Sequence, residues 1–204
     1  MSSASRLWPG RVRAAFPDNQ VDEGFGPISV DVPVGQWSDA VRLARDGLDC
    51  RFFDFLTAVD EWRADAGDDD DDGFRIVCHL VAHQRHDVQH LLLRTLVGRG
   101  SPLVPSIADI FAGARWHERE THEMFGVEFT VDGEVLELAG LLLPEEFVGH
   151  PLRKEFVLAS RVAKPWPGAK DPGESDSSAR AAPARRRMRP PGVPEPEEWG
   201  PRDG

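Results

Sequence analysis

The stretch "FRIVCHLVAHQRHDVQHLLLRTLV", Phe74 to Val97, decides the fold. In its first half Phe74, Ile76, Cys78 and Leu80 alternate with other residues, which is the two-residue period of a half-buried strand. Two strand-like runs, "FRIVCHLVA" and "VQHLLLRTLV", flank "HQRHD", a link short enough for a hairpin. Hairpins join antiparallel strands, whereas a parallel pair needs a crossover of a dozen residues or more. The stretch therefore argues for an antiparallel sheet over a doubly wound one.

Working outward, "ISVDV" upstream places Ile28, Val30 and Val32 on one face of another strand. "GQWSDAVRLARDG" then spaces Trp37, Val41, Ala44 and Leu48 as one side of a helix, with Gly47 placed to cap its end. "RFFDFLTAV" supplies a further strand. Downstream, "SIAD" starts like a helix: Ser106 caps the N-terminus and Asp109 completes a capping box. Gly113 interrupts that helix, and a second helical segment runs from about Arg115 to Phe125, ended by the left-handed residue Gly126. The expected fold is α+β, a helix packed on a mostly antiparallel sheet of about four strands in the order βαβββ. A short helical segment and an extended Pro-rich C-terminal tail follow it.

The tail is read from composition. Residues 160–204 hold 9 of the 17 prolines and little apolar periodicity, too little to offset the entropy of ordering. They carry nine basic and seven acidic groups, leaving a body with 15 basic and 28 acidic ones, a sign that argues against a nucleic-acid partner. The two cysteines, Cys50 and Cys78, are too few for a disulfide framework or for the usual four ligands of an iron–sulfur cluster. No run of 18 apolar residues is present, and the start lacks the apolar core of a secretory signal. The chain is therefore expected to be cytoplasmic and at most peripheral to a membrane.

Three constellations imitate catalytic or metal sites. In "HERETH" the two histidines, His117 and His122, stand five residues apart instead of four. On a helix their rings diverge by about 140°, so they cannot grip one metal as a zinc-protease helix does. The other reading is a charged helix face, with Arg119 and Glu123 as an i,i+4 pair and Glu118 facing His122. His79, His83, His86 and His90 would form one stripe on a helix, but on strands they separate, leaving a cross-strand pair as the alternative. "DDDDDG", Asp68 to Gly73, opens like a calcium loop, yet position twelve falls on His79 where a bidentate glutamate is needed, so a solvated acidic hairpin loop is the better reading. No phosphate loop, nucleophile elbow or dinucleotide fingerprint is present.

Two longer pieces form a recognisable set: "VPSIADIFAGARWHERETHEMFGVEF", Val104 to Phe129, and "LLLPEEFVGHPLRKEFVL", Leu141 to Leu158. Together they closely resemble the signature of the C subunit of bacterial NADH-quinone oxidoreductase, respiratory complex I. The resemblance implies a non-catalytic subunit of the peripheral arm, on the cytoplasmic side of the cell membrane, that packs against the D subunit near the quinone pocket. FMN, iron–sulfur clusters and quinone would all be bound by partner subunits, with no catalytic, cofactor or metal residue in this chain. The complex couples electron transfer from NADH to quinone with proton pumping. Related subunits serve membrane-bound hydrogenase-like complexes and deazaflavin-dependent quinone reductases, and the sequence does not separate these electron donors. Between the two pieces "TVDGEVLELAG" departs from the family, which usually has a Gly-His-Pro and paired arginines there.

The signature residues expected to face a partner are Trp116, Glu118, Arg119, Glu120, Phe125, Gly126, Leu143, Pro144, Gly149, His150, Pro151, Leu152, Arg153 and Lys154. Along the chain this gives an N-terminal lead-in at 1–26, an α+β domain at 27–129, a signature docking segment at 130–159 and the tail at 160–204. In "GHPLRKEF" Pro151 fixes its own backbone angle and pushes His150 toward an extended conformation, so Leu152, Arg153 and Lys154 should project from a stiff connector. The alternative is that Arg153 and Lys154 pair with acidic groups of this chain, such as Glu145 or Glu146. The tail's Trp166 and Trp199 are expected to order on a partner surface.

Overall fold

A computed structural model describes residues 3–24, 26–62, 73–84 and 87–156. In chain order the elements are α1 (Ser3–Ala15), β1 (Gln20–Asp22), β2 (Ile28–Asp31), α2 (Trp37–Gly47), β3 (Phe52–Asp60), β4 (Gly73–Gln84), β5 (Asp87–Gly98), β6 (Leu103–Pro105), α3 (Ala114–Phe125), β7 (Glu128–Val131) and β8 (Glu134–Val135). The β4–β5 hairpin pairs antiparallel from Gly73 opposite Gly98 to Gln84 opposite Asp87, so two residues link the strands. β3 adds antiparallel to β4, with an irregularity between Phe53 and Phe55. β2 joins the far side of β5 in parallel, and β1 closes that edge antiparallel to β2. The sheet order is β1-β2-β5-β4-β3.

The βαβββ order is present as β2, α2, β3, β4 and β5, in a sheet of five strands because three-residue β1 joins its edge. α2 buries Trp37, Val41 and Ala44 as its spacing requires, and Leu48, just past its end, is buried with them. Its stop differs from the expectation: Gly47 is the last helical residue, and the left-handed position belongs to Asp49 at φ 62°. A short polar side chain tolerates that region, and the Cys50 amide returns to the Ala44 carbonyl at 3.0 Å.

Residues 1–26, read from sequence as a lead-in, contain α1 and β1. Pro9 and Gly10, both poor helix formers, lie inside α1. The helix is held instead by Trp8, Val12 and Phe16, which enter the core at four-residue spacing. "SIAD" also differs: residues 108–110 and 112–113 form turns, with the Phe111 amide bonded to the Ile107 carbonyl, and the helix begins only at Ala114.

A second, small sheet of order β6-β7-β8 carries the end of the 27–129 domain and the start of the 130–159 segment. Its β7–β8 turn is Asp132-Gly133, with φ 52° and 84°, the left-handed pair that a two-residue hairpin needs. In the five-stranded sheet the register puts Phe74, Ile76, Cys78 and Leu80 beside Val97, Thr95, Leu93 and Leu91 on the buried face. The core of Trp37, Phe74, Leu56, Ile107 and Phe129 forms there, under the three helices.

Candidate functional site

The signature is built around α3. Ala114, Glu118, Thr121 and Phe125, spaced four, three and four apart, form its buried face. Glu118 is thus not on a charged outer face, as the sequence suggested, but 1 % exposed. Its carboxylate accepts hydrogen bonds from the Ser106 hydroxyl at 2.9 and 3.0 Å and from the Ile107 amide at 2.8 Å. Ser106 in turn accepts from the Ala108 amide at 3.2 Å. Burial pushes the Glu118 carboxyl above its ordinary range, opposed by the Ile107 and Ser106 hydrogen bonds. The residue fastens the 106–111 turns to the helix.

On the outer side, Arg119 donates to the carbonyls of Ala139, at 2.8 Å, and Gly140. Glu123 accepts from the amides of Leu141 at 2.6 Å and Leu142 at 2.7 Å. Burial would raise the Glu123 carboxyl, but the amides of Leu141, Leu142 and Leu143 outweigh it and hold the group below its usual range. These two residues do not serve mainly as the expected i,i+4 pair. Their hydrogen bonds lay residues 139–142 along the helix.

"GHPLRKEF" closes the end of the same helix. An α-helix leaves its last carbonyls without intrahelical partners. Here His150 Nδ1 meets the Glu123 carbonyl at 2.9 Å, the Leu152 amide donates to Met124 at 3.1 Å, and Arg153 Nε donates to Phe125 at 2.6 Å. Gly126, in the left-handed region at φ 70°, ends the helix where a Cβ would run into the His150 and Arg153 side chains. Burial holds the His150 imidazole below its ordinary pKa, despite the opposing bond to Glu123.

The strap continues into a buried charge centre. Asp60, 4 % exposed, binds the Arg99 guanidinium, the Lys154 amide at 2.8 Å and the Trp62 amide at 3.0 Å. Arg99 also reaches Glu155 at 2.9 Å. The Arg99 and Arg153 guanidinium carbons lie 4.7 and 5.2 Å from the Phe74 ring centre, and Lys154 Nζ donates to the Trp62 carbonyl at 3.0 Å. Arg153 and Lys154 are therefore engaged with their own chain, but through carbonyls of Phe125 and Trp62 instead of Glu145 or Glu146.

Of the signature set, Phe125 and Glu118 are core residues, and Gly126, Gly149, His150 and Arg153 shape the strap. Gly149 sits at φ 106° with Phe156 against it. Trp116 and Leu152 remain 59 % and 54 % exposed, Glu120, Pro144 and Lys154 are exposed, and Leu143 and Pro151 are half-buried. Arg119 lies 5.2 Å from the Trp116 ring. The strap and α3 thus bring an aromatic, a leucine and several charged groups to the surface on a fixed backbone.

The imitation sites resolve differently. His117 packs edge-on to Phe53 at 5.3 Å, while His122 Nδ1 faces the Val127 carbonyl at 3.1 Å, so the two rings serve separate neighbours. His79 and His90 do form a cross-strand pair, joined at 3.1 Å, with Asp54 on the other nitrogen of His79 at 2.8 Å. His83 packs on Phe52 instead. Asp68–Asp72, His86, Trp166 and Trp199 lie outside the described residues. Sequence reasoning missed Asp60 and Arg99, because neither belongs to a motif and their meeting depends on where strand ends fall. The buried Cys50 and Cys78 thiols are both pushed up by desolvation, Cys50 to about 12.

Comparison with known proteins agrees with the signature. Residues 30–162 match the family model "Respiratory-chain NADH dehydrogenase, 30 Kd subunit". The C subunit of NADH-quinone oxidoreductase from Roseiflexus castenholzii (strain DSM 13941 / HLO8) is 36 % identical over 155 residues, covering 74 % of this chain and 82 % of that protein. Its counterpart in Rhodopseudomonas palustris (strain TIE-1) is 36 % identical over 142 residues, 68 % of this chain and 63 % of that one. Among solved structures, a trypsin-resistant fragment (1-134) of Nqo5 superposes with TM-score 0.52 at 20 % identity, covering 63 % of this chain and 98 % of the fragment. A chain of the archaeal membrane-bound sulfane sulfur reductase gives TM-score 0.52 at 20 % identity, covering 65 % and 72 %. Both carry the fold alone. The matched span and the level of identity place the chain, plainly, in the family of the 30 Kd subunit of the respiratory-chain NADH dehydrogenase, to which the C subunit of NADH-quinone oxidoreductase belongs.

Proposed function

We propose that the chain is a non-catalytic scaffold subunit in the peripheral arm of a proton-translocating NADH–quinone oxidoreductase, docking on the D subunit beside the quinone site, on the cytoplasmic side of the membrane. The observation that carries this reading is the use to which the signature's ionisable groups are put. His150, Arg153, Arg119, Glu123 and Glu118 bind backbone carbonyls, amides and a serine hydroxyl, and so fix the shape of a surface. A catalytic set would instead hold a base or nucleophile beside an orienting group, facing a reacting atom. Trp116, Leu142, Val148 and Leu152 are among the exposed apolar groups that this surface offers a partner.

FMN, iron–sulfur clusters and quinone are assigned to partner subunits. Iron–sulfur clusters and most thiol-bound metals take the thiolate, and desolvation of Cys50 and Cys78 disfavours that form. Among the described residues no helix is long and apolar enough to cross a membrane, which suits attachment through partners. The test is affinity purification of the tagged chain from its native membrane with quantitative mass spectrometry. The D subunit and the NADH-binding flavoprotein subunit should accompany it in equal amounts. A nickel-binding hydrogenase subunit in place of the flavoprotein, or a chain that purifies alone, would overturn the assignment.

A further inference from the structure

We propose that the outer face of the five-stranded sheet is a second interface of this chain, covered in the assembly by a neighbouring subunit that presents an uncharged apolar element with a hydrogen-bond donor over His90. The proposal rests on the reading of the chain as a subunit of a larger complex. The register that turns Phe74, Ile76, Cys78 and Leu80 into the core turns Phe55, Val59, Val77, Val81, Leu92 and Leu96 to the other side. Among the described residues the three helices bury their apolar sides in the core of the first face. On the second, Val59 is 49 % exposed, and Phe55, Val77, Leu92 and Leu96 are half-buried.

Size and charge both fit a protein cover. Strands of 12 residues, as in β4 and β5, run about 40 Å, and three long neighbours span about 15 Å, so the face offers roughly 600 Å², close to the ~800 Å² each partner contributes to an ordinary interface. The strong charges over β2, β4 and β5 are matched on this face, while the Asp54 carboxylate stays half exposed on the edge strand β3, where it accepts from His79. Asp31 lies 3.0 Å from Arg75 and 2.6 Å from Arg94, and Arg75 reaches Glu61 at 2.5 Å on its other side. A neutral cover over β4 and β5 that leaves the Asp54 edge in water therefore strands no ion, whereas a charged one would lose its hydration with no partner there to meet it.

The donor follows from the Asp54, His79 and His90 chain, which crosses β3, β4 and β5. In the neutral form of His79 the Nδ1–H donates to the acceptor-only Asp54 carboxylate, and Nε2 then accepts from His90 Nδ1–H. The two ring centres lie 5.2 Å apart with planes within 6° of parallel. His90 is exposed, and its Nε2 keeps a lone pair directed away from this relay. A hydroxyl, amide or indole N–H on an apolar element satisfies it without adding charge.

The experiment places a photo-reactive phenylalanine derivative at Val59 or Val77 in the full chain, purifies the assembled complex and sequences the cross-linked peptides. The expected product joins either position to an uncharged, apolar peptide of a co-purifying subunit, one that carries a donor side chain. Cross-links to this chain's own residues 157–204, to a second copy, or to nothing overturn the proposal. Val59→Glu should lower incorporation of the chain into the complex at least tenfold while leaving the melting temperature of the isolated chain within a few degrees. His90→Leu should weaken incorporation severalfold and His90→Gln, which can donate to His79 and still accept from outside, should restore it; equal incorporation of all three overturns the proposal too. Failure of the parent reading shows separately, as the absence of reductase subunits beside the unsubstituted tagged chain.

Discussion

Arg153 donates its Nε–H to the carbonyl of Phe125, 2.6 Å away and 28 residues earlier in the chain. With His150 and the Leu152 amide it completes the hydrogen bonding of the last turn of α3, so the helix end and the strap form one unit. The two signature pieces, distant in the chain, thus each satisfy the other's backbone.

Gly126→Ala should break that unit. The position combines φ 70° with a Cβ that would collide with His150 and Arg153, so the substitution meets both backbone strain and a displaced strap. A loss of about 1 to 3 kcal/mol is expected from the strain. Urea unfolding measures it, and faster hydrogen exchange at the Leu152 amide locates it in the strap. Unchanged exchange there would mean that the strap does not depend on the helix end.

Glu118 makes a pH-dependent prediction. Its carboxyl is raised by burial above the ordinary glutamate value of 4.5, so the folded protein holds the proton more tightly than the unfolded chain. Its contribution to stability is then fully present below the ordinary value and is lost as pH rises through the raised one. Glu118→Gln removes that slope. The stability of the substituted protein, relative to the unsubstituted one, should climb as pH rises above 4.5; parallel curves from pH 4 to 8 would show that the carboxylate is not penalised.

Surface substitutions separate docking from folding. Trp116→Asp and Leu152→Asp alter groups 59 % and 54 % exposed, so each should change the isolated chain's stability by within about 0.5 kcal/mol. Both should release the chain from the assembled complex. Arg153→Glu is a poorer probe, because it removes the donor to Phe125 and places a carboxylate near Glu155, and so disturbs the fold before any interface.

The central sheet was legible because its strands alternate cleanly and "HQRHD" is short enough for a hairpin. α2 was legible from its apolar spacing, and the end of α3 from Gly126. What the sequence hid was decided by burial. Glu118 and His122 look like one charged helix face, yet only the packing of Ser106 and Ile107 makes Glu118 a core residue. α1 was hidden by Pro9, since tertiary contacts of Trp8 and Val12 override a poor local propensity. Asp132-Gly133, within "TVDGEV", is a hairpin signal that the residues themselves carry. The Asp54, His79 and His90 relay needed the register of three strands, and a one-residue slip would have turned those side chains to opposite faces.

The most direct test of the claim that the signature shapes a surface and carries no chemistry is the turnover of assembled complex bearing His150→Ala. His150 Nδ1 serves the Glu123 carbonyl, 2.9 Å away, and nothing in that geometry requires the imidazole for electron transfer. NADH–quinone reductase activity, measured per complex with the amount of every subunit quantified on the same sample, should fall only in proportion to lost assembly. Fully assembled complex with almost no turnover would put the histidine in the chemistry and contradict the account.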